Sequence, residues 1–337
     1  MTAAPAADAP PFDPLAHPIL LQEPERLSDF SVWRGHIPFA LLLIDRARPR
    51  TLVELGTHYG DSYCAFCQSV KALETGTRCW AVDTWAGDEH AGFYEDAVYD
   101  DLRAHHDPRY ASFSTLVRSL FDDAVGQFED GSIDILHIDG LHTYEAVRHD
   151  FETWLPKVSR RGIVLFHDTA VHTDDFGVHR FWDELKDTYP SFAFTHAGGL
   201  GVLAVGPEVP AGMRFLFGAD AERRDLLRRL FQYLGERWAL TGDLPRQERL
   251  LEQERGAARE MAAEVERIAA DRDAINAHRA VVEADQQRLY AENAALHAEA
   301  TRLRDAERQL QKIQGSRIYR FAQRMARLIG RGRNPQP

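Results

Sequence analysis

Residues 51–60, with the sequence TLVELGTHYG, decide the fold class. A β-rich run over 51–55 leads directly into a turn that contains Gly56 and Gly60, and a helical stretch follows. Gly56 allows a close backbone approach, and Gly60 opens the next helix with free N–H groups. The G-x-x-x-G spacing differs from the G-x-G-x-x-G dinucleotide fingerprint. The turn alone therefore fits either a nucleotide-type cofactor or a plain structural turn.

The same alternation continues along the chain. Four more runs have the composition of strands: 78–83, 113–118, 133–138 and 162–166. Helical segments separate them, which predicts a parallel sheet covered on both faces. Two late runs, 191–195 and 201–205, predict an antiparallel hairpin at the sheet edge. We therefore expect a doubly wound, mostly parallel seven-stranded α/β fold followed by a long α-helical coiled coil.

Composition excludes several classes of protein. The 337 residues carry 40 basic and 52 acidic side chains, so the net charge of −12 argues against a nucleic-acid binder. No apolar run approaches the length of a membrane span. The first eleven residues lack the basic and apolar segments of a secretory signal, and three cysteines cannot build a disulfide framework. A cytoplasmic protein is expected.

The chain changes character along its length, which predicts five parts. They are a flexible N-terminal arm 1–27, a globular domain 28–210, a helical connector 211–244, a coiled coil 245–314 and a basic amphipathic tail 315–337.

The predicted coil rests on apolar residues that recur every seven positions. They are Met261, Ile268, Ile275, Val282, Leu289, Leu296, Leu303 and Leu310. Taken as d positions, they leave mostly polar residues at a, such as Arg272 and Asn293. The repeat favours a dimeric or trimeric homo-oligomer, and the alternative is a single solvated helix.

The tail contains six arginines and no acid from residue 315 onward. Ile318, Phe321 and Met325 fall on one helical face of this segment. This pattern is typical of a helix at an anionic membrane surface or against a protein partner, such as a glycan enzyme. A solvated tail is the alternative, and a peripheral position at the inner membrane face is expected only under the first reading.

Acidic residues lie where the predicted strands end. Asp83 can accept the hydroxyls of a ribose or cap a helix. Asp139 and Asp168 follow neighbouring strands, so we expect them to converge and to hold a divalent cation such as Mg²⁺. His142, three residues after Asp139, can act as a general base. The alternative is that these acids cap helices. Trp33, before the first strand, either covers this pocket or packs in the core.

Four motifs in order carry a family resemblance. They are Val-Glu54-Leu-Gly56-x-x-x-Gly60-x-Ser62, Val-Asp83-Thr-Trp, Asp134-x-x-x-Ile-Asp139-Gly-x-His142-x-Tyr144 and Gly162-Ile-Val-x-x-His167-Asp168. Together they resemble class I S-adenosylmethionine-dependent methyltransferases over about residues 30–206. The pattern is most similar to metal-dependent sugar O-methyltransferases of the macrocin and mycinamicin type, within a cephalosporin-hydroxylase-like group.

The resemblance implies roles for individual residues. The implied cofactor-binding residues are Glu54, Gly56, Thr57, Gly60, Ser62, Asp83, Ser119, Asp122 and Asp139. The implied metal ligands are Asp139, His167 and Asp168, and His142 occupies the position of the general base. Relatives often have Glu in place of His167. Because imidazole is a softer ligand than carboxylate, Mn²⁺ or Fe²⁺ is an alternative to Mg²⁺.

The function that follows is S-adenosylmethionine-dependent, metal-assisted methylation of a sugar hydroxyl, in surface glycan or glycosylated metabolite biosynthesis. A second possibility is an inactive methyltransferase-like scaffold that organises glycan enzymes through its coil. A third, hydroxylation, is implied by the resemblance to the cephalosporin-hydroxylase-like group. His142, His167 and Asp168 could form a 2-His-1-carboxylate iron site, but no oxygenase signature accompanies them.

Overall fold

A computed structural model describes residues 12–330 except 31, 89–91, 95 and 174. The side chains of 88, 243–246 and 328–330 are likewise not described. The predicted arm residues 1–11 and the tail arginines Arg331 and Arg333 lie outside the described residues. The chain divides into two units, Met1–Leu250 and Leu251–Pro337.

The first unit contains a seven-stranded sheet. The strands are β1 Thr51–Leu55, β2 Arg78–Asp83, β5 Ser114–Arg118, β6 Ile133–Ile138, β7 Val158–His167, β8 Ser191–Phe194 and β9 Leu200–Ala204, with a separate short ladder of β3 Gly87–Asp88 and β4 Gly92–Phe93. The spatial order is β5-β2-β1-β6-β7-β9-β8. The strands from β5 to β7 pair in parallel, and β9 pairs antiparallel with both of its neighbours. The predicted seven-stranded, mostly parallel α/β sheet is confirmed.

Helices cover both faces of the sheet. They are α1 Ile37–Ala47, α2 Asp61–Ala72, α3 Ala97–Tyr110, α4 Phe121–Ala124, α5 Tyr144–Trp154, α6 Val178–Leu185 and α7 Arg214–Phe217. One apolar cluster packs α1 and α2 against the sheet, and a second packs α5 and α6 against the other face. All six residues of β6 are buried. A strand covered on both faces needs apolar residues on both sides, which explains its four apolar residues. Its two buried polar residues are paired, Asp134 with Arg50 and His137 with Glu54.

Residues 12–27 differ from the flexible arm expected from their Pro and Ala content. They form two 3₁₀ turns, Pro14–Ala16 and Pro18–Leu21. Ile19 and Leu20 are buried, and the ring of Phe12 stacks on Phe215 with centroids 4.4 Å apart. The Pro and Ala content predicted a solvated segment, but Phe12, Ile19 and Leu20 bury enough apolar surface to order it.

The predicted division between a helical connector and a coil falls inside one helix. Helix α8 runs without a break over Ala221–Gly315, a length of 95 residues. Its first part belongs to the domain, because Phe231 packs edge-on against Phe39, with centroids 5.5 Å apart. Residues 221–244 of the predicted connector therefore form the beginning of this helix, and the coil over 245–314 stays a prediction.

The second unit contains the rest of α8 and the helix α9 Arg317–Gly330. Ile318 and Phe321 on α9 are exposed, as are all eight heptad residues from Met261 to Leu310. Among the helices that the structure describes, none combines the length and apolar character needed to cross a bilayer.

Candidate functional site

The carboxyl ends of the central strands surround one cavity of about 520 Å³. Its polar lining residues include Ser28, Thr57, His58, Asp61, Ser62, Asp83, Asp139, His142, His167 and Asp168. Its apolar lining includes Phe30, Trp33, Tyr59, Tyr94, Leu120, Phe121, Leu141 and Phe176. Apolar walls with a few convergent polar groups are typical of small-molecule sites, whose volumes are roughly 300–1,000 Å³.

The glycine turn after β1 forms one wall of the cavity. Gly56 and Gly60 have φ angles of 83° and 79°, a region that favours glycine. A Cβ at Gly56 would lie 2.1 Å from the carbonyl oxygen of Asp139. The turn therefore requires glycine at this position, and Thr57 and Ser62 also line the cavity.

The Asp83 carboxylate is tied to this turn. Its Oδ2 accepts hydrogen bonds from the backbone N–H groups of Thr57 and His58 at 2.8 and 2.9 Å. Its Oδ1 accepts from the N–H of Trp85 at 2.7 Å. A carboxylate has about four acceptor positions, so roughly one is left for a ligand in the cavity. Asp83 thus positions the turn, and its expected contact with a ribose stays a prediction.

Glu54 is not among the residues that line the cavity, and its assignment to the cofactor site stays a prediction. Its side chain is fully buried below the cavity, and Oε2 lies 2.8 Å from Nδ1 of His137, its neighbour across the β1–β6 pair. Burial raises the pKa of Glu54, although His137 partly offsets this. Successive side chains along β1 point to opposite faces of the sheet, and that of Glu54 points into the protein interior. Glu54 therefore supports the site from inside the domain.

Ser119 and Asp122 are not among the residues that line the cavity. The Ser119 hydroxyl donates to the carbonyl of Leu120 at 3.0 Å, and Asp122 is exposed and lies 2.9 Å from Nε2 of His149. Leu120 and Phe121 line the cavity in their place. Because this segment turns into α4 directly after Leu120, apolar rather than polar side chains face inward.

Four predicted residues do come together at the ends of β6 and β7. Oδ2 of Asp168 lies 3.0 Å from Nε2 of His142 and 3.3 Å from Nδ1 of His167. Oδ1 of Asp139 lies 3.3 Å from Nδ1 of His167 and 3.6 Å from Nε2 of His142. One ligand atom each from Asp139, His142 and Asp168 lies within 4.8 Å of the others, which makes this group a candidate cation site.

Electrostatics in this cluster favour ionised carboxylates. Burial opposes charge, but attraction and hydrogen bonds from the two imidazoles outweigh it and lower the pKa of Asp139 and of Asp168. The same contacts overcome burial and raise the pKa of His142 to about 9 and of His167 to about 10. The cluster is therefore a compact set of two carboxylates and two imidazoles that hold one another in place.

The backbone around the cluster is specialised. Asp168 has a φ of 60°, which is uncommon for a residue other than glycine and points to a functional position. A Cβ at Gly198 would lie 2.4 Å from Oδ1 of Asp168, so only glycine leaves room for this carboxylate. Nε2 of His167 lies 3.1 Å from the carbonyl oxygen of Ala197. Donation to that oxygen leaves Nδ1 facing the two carboxylates.

Sequence reasoning missed most of the aromatic lining. Phe30, Tyr94, Phe121 and Phe176 lie outside the four motifs, and Phe176 stacks on the ring of His142 with centroids 4.8 Å apart. Segment 28–33 reaches the cavity because the Ser28 N–H donates to Asp61 at 2.8 Å. The aromatic character of these residues was their one available signal.

Residues 53–169 match the family model of a methyltransferase domain. This part of the chain is therefore similar to methyltransferase domains. The match runs from β1 to the end of β7 and so includes Asp83, Asp139, His142, His167 and Asp168.

Other known proteins are similar to this chain. The uncharacterized protein y4gI of Sinorhizobium fredii is 46% identical over 218 residues, which cover 64% of this chain and 24% of that protein. The chain thus spans about a quarter of the length of this curated relative. The O-methyltransferase TomG of Streptomyces achromogenes, solved with S-adenosylmethionine, is 14% identical with a TM-score of 0.40 and covers 54% of this chain and 91% of its own. An O-methyltransferase from Bacillus cereus, solved with S-adenosylhomocysteine, is 15% identical with a TM-score of 0.40 and covers 53% and 84%.

Proposed function

We propose that the protein is an S-adenosylmethionine-dependent, divalent-metal-assisted O-methyltransferase that acts on a sugar hydroxyl. The observation that carries the proposal is that Asp139, His142, His167 and Asp168 converge in the same cavity as the glycine turn after β1. One cavity therefore provides both a place for a methyl donor and a place that can activate an oxygen nucleophile.

The methyl donor fits the side of the cavity formed by the turn over Gly56–Gly60. Because Gly56 and Gly60 have no side chain, the methionine end of the donor can approach the backbone of the turn closely. The Asp83 carboxylate has about one acceptor position left, which can receive a hydrogen bond from a ribose hydroxyl. Thr57 and Ser62 line the same wall. These residues bind and orient the donor, which already carries an activated methyl group.

A divalent cation fits the donor set of the cluster. Carboxylate oxygens from Asp139 and Asp168 suit Mg²⁺, and an imidazole from His167 extends the choice to Mn²⁺ or Fe²⁺. A bound cation would lower the pKa of a coordinated sugar hydroxyl and orient it. The positive φ of Asp168 and the space left by Gly198 hold one carboxylate in position for this task.

His142 is placed to accept the hydroxyl proton. Without a cation, its contacts with Asp139 and Asp168 raise its pKa to about 9 and favour the protonated imidazole. A cation held by the same two carboxylates would offset their attraction, lower this pKa and leave His142 neutral and able to accept a proton. During transfer, a bond forms between the acceptor oxygen and the methyl carbon while the carbon–sulfur bond breaks. The electron pair of that bond stays on sulfur, and the product is S-adenosylhomocysteine.

The shape of the acceptor side supports a sugar. Phe121 and Phe176 provide flat apolar surfaces beside the polar cluster. A sugar ring offers apolar C–H faces for such surfaces and neighbouring hydroxyls for carboxylates and a cation. The acceptor class proposed is therefore a hydroxyl of a glycan or of a glycosylated metabolite.

The decisive experiment combines binding and turnover. Calorimetry with S-adenosylmethionine should show binding with or without Mg²⁺, because the proposed donor contacts do not involve the cation. Methyl transfer to a panel of nucleotide sugars and oligosaccharides should require a divalent cation and should be abolished by EDTA. Turnover that persists in EDTA would refute the metal assistance, and absence of donor binding would refute the methyltransferase assignment itself.

A second candidate is an inactive scaffold, which the long exposed helix of the second unit favours. In that case the domain would bind neither donor nor cation, and its partners would bind through the helix. Donor binding by the full-length chain separates the two candidates.

A further inference from the structure

The second unit displays an apolar stripe that is exposed along its whole length. The eight heptad residues from Met261 to Leu310 are between 50% and 67% exposed. They recur every seven residues on one side of α8, and 1.5 Å per residue gives a stripe about 75 Å long. An apolar surface of this extent marks an interaction site.

We propose that a second copy of this chain covers the stripe, and that the two helices form a parallel, in-register, two-stranded coiled coil over about residues 261–313. The proposal is independent of the methyl-transfer function, because it rests on residues of the second unit alone.

The core residues decide the orientation. In a parallel pair each d residue meets its own copy, so Ile275 packs on Ile275 and Leu289 on Leu289. In an antiparallel pair centred on residue 284, d residues meet a residues of the other chain, which sets Ile275 against Asn293 and Leu289 against Arg279. The parallel arrangement separates apolar layers from polar ones, whereas the antiparallel arrangement buries polar groups against apolar partners, which is costly.

The flanking charges favour the same orientation. In a parallel pair each g residue faces the e residue five positions later in the other chain, which brings Glu299 opposite Arg304 and creates no like-charged pair among the flanking g and e residues. Like charges do meet at three a positions, Arg272, Arg279 and Glu307, whose long side chains reach toward solvent. The antiparallel pair centred on residue 284 would instead place Asp285 against Asp285 and Glu283 against Glu283. The flanking charges therefore favour the parallel orientation.

The number of strands follows from the a positions. Arg272, Arg279, Gln286 and Asn293 are long or polar and keep their charged or amide ends near solvent most readily in a two-stranded coil. A single buried Asn at a position a is also a known means of fixing register and oligomer number. A trimer would enclose these side chains more completely.

The first test measures mass by light scattering on the full-length chain. The expected mass is about twice 38.2 kDa. Replacing Ile275 and Leu289 together by Asp should give the monomer mass. The matched control replaces Ala277 and Ala291 by Asp, which adds the same charges on the opposite side of the helix and should leave the dimer intact. The six tryptophans lie between residues 33 and 238, so their fluorescence checks that the domain stays folded.

The second test fixes the orientation with a single cysteine at a core position. The three native cysteines are buried, so an added thiol is the accessible one. Leu303→Cys should form a disulfide with its own copy in a parallel pair. In an antiparallel pair it would instead join Val265→Cys in a mixture of the two variants. A monomeric or trimeric parent, a control that dissociates, or the mixed disulfide would each overturn the proposal.

Discussion

Residues 221–250 and 251–315 belong to one continuous helix, but they differ in how far their apolar side chains are buried. Phe231 and Trp238 are 1% and 4% exposed, whereas Leu289 and Leu296 are 59% and 66% exposed. Both stretches repeat apolar residues at helical spacing. Helical spacing therefore indicates which side of a helix is apolar. The surroundings decide whether the same chain or, as we propose, a second copy buries that side.

The largest expected effect tests whether the chemistry belongs wholly to the first unit. Asp168→Ala should lower methyl transfer by about 10³-fold, because it removes a cation ligand whose metal contributes several kcal/mol to charge stabilisation. Donor affinity, measured by calorimetry, should change little. Asp187→Ala, an exposed position after α6, is the matched control. Full turnover in the Asp168 variant would remove the cluster from the mechanism.

The next effect tests the packed part of α8. Phe231→Ala should lower the free energy of unfolding by about 3–5 kcal/mol, because the ring is buried against Phe39 and Phe194 and its loss leaves a cavity. Tyr233→Ala, two residues away and 74% exposed, should change it by less than about 0.5 kcal/mol. Denaturant titration followed by tryptophan fluorescence measures both. Equal effects would mean that residues 221–250 do not belong to the domain core.

The sequence allowed prediction of the features that depend on local pattern. Strands covered on both faces, such as β6, are rich in apolar residues, and parallel topology then brings Asp139 and Asp168 to one edge of the sheet. The fold class and the convergence of Asp139, His142, His167 and Asp168 could therefore be anticipated. The heptad stripe was equally visible from its spacing.

Features that depend on distant packing could not be predicted. Nothing local shows that Phe12 finds Phe215, or that segment 28–33 reaches the cavity through the bond from Ser28 to Asp61. Glu54 carried the expected motif but faces the interior, where it pairs with His137. Motif position thus identified the strand end correctly, whereas side-chain direction was set by the pleat and by neighbouring strands.

A third prediction uses pH to compare a buried acid with an exposed one. Burial chiefly raises the pKa of Asp150 from 3.8 to about 7, and Asp122 adds to this while His149 opposes it. The folded state therefore prefers the neutral acid, and stability is lost as pH rises from about 4 to about 7. Asp150→Asn should stabilise the domain more at pH 8 than at pH 5, by about 2 kcal/mol. Asp123→Asn, exposed in α4, should show no such difference in thermal unfolding, and a pH-independent effect of Asp150→Asn would contradict the burial argument.

A fourth prediction concerns donor recognition in the first unit. Asp83→Asn should weaken S-adenosylmethionine binding by about tenfold or more. The change replaces one carboxylate oxygen by an amide NH₂ group, which cannot accept a hydrogen bond. The same change also loosens the bonds to Thr57 and His58. Comparing adenosine with 2′-deoxyadenosine by calorimetry separates the two effects. If Asp83 contacts the ribose, the parent discriminates between them and the variant does not. Equal discrimination by both would limit Asp83 to positioning the turn.

The smallest expected effect concerns exposed charged residues of the second unit. These residues contact each other between chains if two copies pair as proposed. Glu299→Arg should weaken dimerisation by roughly two- to fivefold, the range of an exposed ion pair turned repulsive. Combining it with Arg304→Glu restores opposite charges between the chains and should recover the parent dissociation constant, measured by sedimentation. The two residues are five positions apart and do not face each other within one helix. Recovery in the double variant is therefore specific to pairing between parallel chains, and a double variant no tighter than the single one would show that Glu299 and Arg304 do not meet.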